Sequence, residues 1–152
     1  MKEIRRSGLG LLLGLVLVVL NAFASWNPGS SEKSKGHEIT RHIAVLKAGK
    51  AQDKAAAAYW LGQQRIAAAP AVDPLITLLG DTSEVDPGQY RSSRVIARMT
   101  LGEEAAAALV NIGHPSIEAL IRVLKTSPLS EARKNAAWAL GALHDTGATN
   151  QI

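Results

Sequence analysis

Two kinds of segment recur along this chain, and that recurrence restricts its fold more than any other feature. Ile43-Ala-Val-Leu46, Ile76-Thr-Leu-Leu79 and Ile121-Arg-Val-Leu124 start 33 and 45 residues apart. Ala57-Ala-Tyr-Trp-Leu61, Ala105-Ala-Ala-Ala-Leu109 and Ala136-Ala-Trp-Ala-Leu140 end 48 and 31 residues apart. Both series stretch between the same two units, so a single insertion, placed at residues 81–99, accounts for both. The underlying period of 31 to 33 residues is that of stacked helical hairpins, in which no unit can bury its apolar face alone.

Inside a unit the apolar residues fall at helical spacing. Ile117, Leu120, Ile121 and Leu124 follow i, i+3, i+4, i+7 and predict one buried helix face, as do Val72, Leu75, Ile76 and Leu79. Gly113-His114-Pro115 reads as the end of one helix and the start of the next, with Pro where an amide partner is not required. Thr100-Leu-Gly-Glu103 has the form of a capping box, and Asp53 and Ser130 are placed to cap the other Ala-rich helices. The expected order is a Leu/Ile helix near 38–48, an Ala-rich helix at 53–65 and a Leu/Ile helix at 71–79. After the insertion come helices at 101–112, 115–125 and 131–143, giving about three hairpins. With three Trp, two Tyr and one Phe, the chain is too poor in aromatic residues for a β-sandwich or barrel.

The segments EEAAAALVNIGHPSIEALIRVLK and EARKNAAWALGALHD resemble bacterial HEAT-like repeats, the short kind also found in phycobiliprotein lyases. The resemblance covers about residues 37–145 and implies an all-α fold, an α-solenoid of about three HEAT-like hairpins. Tetratricopeptide repeats compete at this period, but around Trp138-Ala-Leu140-Gly141 the spacing is one residue short. After His144 too few residues remain for a further Leu/Ile helix, so Ala136, Ala139, Leu140 and Leu143 are expected to form an apolar ledge, either a partner site or the stump of a truncated chain.

Residues 1–24 have the layout of an export segment. Lys2, Arg5 and Arg6 give a basic start, Gly8 to Leu20 is uncharged and rich in Leu and Val, and Ala22-Phe23-Ala24 forms an A-x-A-like cleavage site. A signal peptide fits all three zones. The alternative is a retained anchor, because residues 8–26 carry no charge and approach the length of a bilayer-spanning helix. Either reading exports the remainder, to the periplasm or the extracellular space, or holds it outside the inner membrane. Residues 25–36, rich in Ser, Gly, Pro and Lys, are expected to be a flexible linker, and 146–152 a C-terminal tail.

The formal net charge is +4, half of which belongs to the leader, so the folded part is nearly balanced and implies no polyanionic partner. Zero Cys excludes disulfides, thiolate metal sites and a Cys nucleophile. His37, His42, His114 and His144 lack the spacing of a metal motif, and neither a nucleophile elbow nor a phosphate-cradling glycine loop is present. The expectation is therefore a protein-binding or scaffold module with no catalytic residues, no metal and no cofactor. Its partner is expected to be another protein and not nucleic acid, with membrane contact only if the leader is uncleaved.

Two surfaces are candidates for that partner. The first is the polar face of the Leu/Ile helices: Arg41, Lys47, Asp73, Thr77, Glu118, Arg122 and Lys125. The second is the insertion, where Arg91, Arg94 and Arg98 would share one face if the segment were helical. In that case they contact an acidic partner; otherwise they pair with Glu84, Asp86 or Glu103 and the loop fills a gap. Tyr59 and Trp138 share one repeat position, two residues before Leu61 and Leu140, and are expected in the core, with Trp60 partly exposed. The resemblance adds one enzyme reading, a lyase or isomerase acting on a bilin carried by another protein.

Overall fold

In a computed structural model of the protein, the described residues are 28–92 and 98–149, with side chains described from 32 to 145 outside that gap. The expected leader lies outside them. The chain divides into two compact units, Met1–Gly36 and His37–Ile152. Six α-helices are described: α1 Pro28–Ala48, α2 Ala51–Gln63, α3 Val72–Ile76, α4 Leu101–Ile112, α5 Ile117–Thr126 and α6 Ser130–Thr149. The fold is thus all-α, built of helical hairpins, and among the described residues the sheet is limited to two residues a side.

Local chemistry explains the clearest hairpin, α4–α5. The Thr100 hydroxyl accepts from the Glu103 amide while the Glu103 carboxylate accepts from the Thr100 amide, closing the expected capping box. Leu101, Ala105, Ala108, Leu109 and Ile112 then bury one side of α4. The helix stops at Gly113, whose φ of +89° suits a residue without a Cβ. A 3₁₀ turn at His114–Ser116 reverses the chain, and the Ser116 hydroxyl donates to the Leu109 carbonyl at 2.9 Å, tying the start of α5 to the end of α4. Helix α2 lies close against α4 because small residues meet there: a Cβ added at Gly62 would stand 3.1 Å from the Ala108 Cα. Leu61, Leu75, Leu79, Leu101, Leu109 and Leu120 are fully buried, each worth about 1.5–3 kcal/mol of transfer free energy.

Several expectations are corrected. Residues 28–36 are helical, not a flexible linker: Pro28 opens α1, and no apolar period marks it because residues 32–37 are all exposed. At the other end α6 continues through Thr149 into the expected tail. The helix expected at 71–79 is short, with a 3₁₀ segment at Arg65–Ala71 before it and turns after it. Asp53 sits in the first turn of α2, whose cap position is Lys50, so it aids the helix dipole instead of capping. Ser130 begins α6, and it is the Ser127 hydroxyl that accepts from the Leu129 amide before it.

The buried face of α5 is rotated from the expected one. Ser116, Ala119, Leu120 and Val123 are buried, whereas Ile121 and Leu124 are 37% and 39% exposed. Apolar residues outnumber the positions that neighbours cover, so periodicity alone could not choose the face. Ala136 and Ala139 are fully buried, and Leu140 and Leu143 are half-buried against the core, so these four are not an open ledge.

The insertion is folded at both ends. Strands β1 Glu84–Val85 and β2 Met99–Thr100 pair antiparallel, Glu84 opposite Thr100 and Val85 opposite Met99, and Pro87–Gln89 make a 3₁₀ turn.

Candidate functional site

The site is assembled where the insertion meets the Ala-rich helices. Gln52 of α2 grips Asp86 by its backbone: its amide nitrogen donates to the Asp86 carbonyl at 2.8 Å, and its amide oxygen accepts from the Asp86 N–H at 3.0 Å. The Asp86 carboxylate accepts from Gly88 N–H and from the Gln89 side chain, shaping the turn that delivers Tyr90 and Arg91.

Those two residues meet a carboxylate from α4. Glu104 is only 1% exposed; Arg91 Nη2 donates to its Oε2 at 2.6 Å and the Tyr90 hydroxyl donates to the same oxygen at 2.8 Å. A carboxylate taken out of water is costly unless charge and hydrogen bonds replace its hydration, and these two donors supply both. Burial, then the bond to Glu104, pushes the Tyr90 phenol well above its usual range. Burial alone would lower the Arg91 guanidinium, but bonding to Glu104 and its charge outweigh that and raise it. The guanidinium carbon lies 5.0 Å from the centre of the Tyr59 ring, and the buried Nε has no hydrogen-bond partner.

On one side of this junction, α4 and α6 flank a pocket of about 500 Å³. Arg91 and Met99 of the insertion, Glu103 and Ala107 of α4, and Lys134, Asn135 and Trp138 of α6 line it. Trp138 is 56% exposed, contrary to the expected core placement. The Asn135 side-chain amide is buried and donates to the Leu79 carbonyl at 2.8 Å. Lys134 is paired with Glu131 at 2.7 Å, which raises its ammonium. On the other side, α1, α2 and Tyr90 flank a larger groove of about 810 Å³. There His42 stacks on Trp60 with ring centres 4.1 Å apart, and Tyr59 and Tyr90 meet at 5.7 Å. Burial, then the Arg41 charge, lowers the His42 imidazole, against a smaller opposing pull from Glu38.

All seven residues expected on the Leu/Ile face are exposed, but only some come together. Asp73 and Arg122 face each other at 3.7 Å between α3 and α5, and with Glu118 they line a polar groove of about 310 Å³. Thr77 turns its hydroxyl back to the Pro74 carbonyl, and Lys125 stands in the last turn of α5. Arg41 pairs with Glu38 on α1 and borders the α1–α2 groove, while Lys47 lies in the last turn of α1. In the insertion, Arg91 points inward to Glu104, a partner outside the expected set. Arg98 pairs with Glu84 at 2.8 Å, as the gap-filling alternative has it. Neither Arg91 nor Arg98 is helical, so the two share no helix face; Arg94 lies outside the described residues.

Trp138, Tyr90, Glu104 and Lys134 were not identified from the sequence as site residues. A signal was present: Ala56, Glu104 and Asn135 occupy one repeat position, five before the Leu61, Leu109 and Leu140 column. A polar residue at an alanine position of a packed helix calls for a partner.

The family model described as PBS lyase HEAT-like repeat matches residues 102–126, the α4–α5 hairpin. In this hairpin the chain is therefore similar to the HEAT-like repeats of phycobiliprotein lyases. No curated protein and no solved structure matches it. Among the described residues no group of three or more His, Cys, Asp or Glu is placed to hold a metal ion, and no helix is long and apolar enough to cross a membrane.

Proposed function

We propose that this chain is an exported module that binds another protein without catalysing a reaction, its leader directing it across the inner membrane. The observation that carries the binding role is Trp138, a large ring held more than half exposed at the edge of a concave pocket. Exposing that much apolar surface beside a cavity is unfavourable in water, and tryptophan is a favoured anchor of protein interfaces. The polar α3–α5 face, with Asp73, Glu118 and Arg122, is the competing contact surface.

Affinity capture with the full chain separates the faces. Trp138→Ala is expected to lose the captured partner, while Arg122→Glu with Lys125→Glu retains it; the reverse pattern moves the interface to α3–α5. Export is tested by the intact mass of the N-terminus of the product recovered outside the cytoplasm: a start at Ser25 marks cleavage, an intact leader marks an anchor.

The match to the PBS lyase repeat favours a second reading, an enzyme acting on a protein-carried bilin. Export opposes it, since that chemistry belongs to the cytosolic side. A shifted bilin absorption band on mixing with the chain would favour the enzyme.

A further inference from the structure

Arg65, just past the end of α2, holds a backbone conformation that its side chain makes costly. Its φ is +56°, in the left-handed region, and among the described residues no other non-glycine residue has a positive φ. A Cβ crowds the chain there, so such a position after a helix is usually given to glycine. The repeat makes that choice once: 48 residues on, the same spacing that separates Leu61 from Leu109, the residue that closes α4 is Gly113, at φ +89°. Arg65 thus stands where the second unit uses glycine. Its side chain repays nothing inside the fold, for it is exposed and pairs with none of the described residues.

The surroundings leave that charge uncompensated. Arg65 is the only charged residue between Lys54 and Asp73. It opens the 3₁₀ segment Arg65–Ala71, which packs against α2, α3, α4 and the His114–Ser116 turn. The carboxylates of those elements are engaged or remote: Asp73 faces Arg122, Glu104 holds Arg91, Glu103 closes the capping box, and Asp53 stands at the opposite end of α2. Beside the free guanidinium is Ile66, at 70% the most exposed large apolar side chain among the described residues. Ala68 and Ala71 are fully buried, so the segment is anchored from beneath while Ile66 is held out in water. One exposed Ile is ordinary on a protein surface, but here it adjoins an unpaired cation on a strained backbone, and such strain gathers at functional positions.

We infer that the turn between α2 and α3 is a second contact point for the protein partner, with Ile66 entering an apolar recess of that partner and Arg65 pairing with an Asp or Glu at its rim. This rests on the binding role proposed above and goes beyond it, because neither residue lines the Trp138 pocket. A carboxylate is the complement of an unpaired guanidinium, whose planar fork accepts its two oxygens together. The left-handed backbone is the trace of the role: stability is given up for a side chain that acts only on binding.

Phage-displayed random peptides selected on the full chain supply the probe, and the affinities of the selected peptides are then measured on variants. Peptides are expected in which Asp or Glu adjoins bulky apolar residues. Ile66→Ser is expected to weaken them at least tenfold and Arg65→Gly several-fold, with Arg65→Lys between Arg65→Gly and the native chain. Arg65→Gly has a second readout: its urea midpoint is expected to hold or rise while affinity falls, because glycine relieves the strain. A lowered midpoint would show that Arg65 serves the fold, and overturns the inference. So do peptides without an acidic residue, peptides indifferent to both substitutions, and the absence of any selected peptide. Trp138→Ala is expected to leave these peptides bound; peptides lost with Trp138→Ala alone overturn the turn as a contact and leave the Trp138 interface standing.

Discussion

Glu104 and Asn135 stand at the same place in successive units, and they solve the same problem differently. Each is a polar side chain buried in an alanine-rich helix, and each fastens a segment that precedes its own unit. Asn135 holds one backbone carbonyl, that of Leu79, at a point so tight that a Cβ on Gly102 would stand 2.6 Å from the same oxygen. Glu104 holds two side chains of the insertion and needs a full charge to do it. In the first unit the equivalent residue is Ala56, which fastens nothing and borders an open groove. A helical repeat thus adapts one position to its surroundings: an amide where backbone must be gripped, a carboxylate where an insertion brings a cation.

The difference predicts unequal costs. Arg91→Met removes the cation paired with the buried Glu104 carboxylate, and breaking such a pair costs about 3 kcal/mol even with Arg91 part exposed. Urea unfolding measures the loss, and faster proteolysis within the insertion accompanies it. A loss under about 0.5 kcal/mol, no more than an ordinary surface substitution costs, would show that Glu104 is not a clamp. Asn135→Ala leaves the Leu79 carbonyl without that donor and is expected to cost about 1–2 kcal/mol, less than the charged clamp. An equal or larger cost would erase the proposed distinction.

Smaller still is Thr100→Ala, which removes a cap from α4 and is expected to lower stability by about 1 kcal/mol while the Glu104 bonds persist. The pH dependence sharpens the point. Because the Tyr90 phenol is raised above its ordinary value of 10.0, the unfolded chain releases its proton first. Stability from this group is therefore intact below pH 10 and declines as pH rises above it. Unfolding midpoints from pH 9 to 11 are expected to fall more steeply for the native chain than for Tyr90→Phe; parallel curves would detach Tyr90 from the clamp.

Much of the fold was legible because it is local. The Thr100–Glu103 box and the Gly113-His114-Pro115 turn rest on neighbouring residues, and each stands where the sequence puts it. The site was less legible. Whether Arg91 turns inward depends on Glu104, thirteen residues away on another element, and the exposure of Trp138 depends on what does not pack upon it. The early start of α1 escaped notice because a stretch such as 32–37, with each side chain exposed, writes no apolar period. The choice of Ser116 and Val123 over Ile121 and Leu124 on α5 is tertiary, set by which helices arrive beside it.

The β1–β2 pairing has a consequence for how such a chain can change over generations. With Glu84 opposite Thr100 and Val85 opposite Met99, the insertion leaves and re-enters the stack through one closed gate. A residue added or lost between Asp86 and Arg91 would carry Tyr90 and Arg91 off Glu104, so that turn is as intolerant of length change as the hairpins themselves, where a single extra residue would rotate buried side chains away from their neighbours.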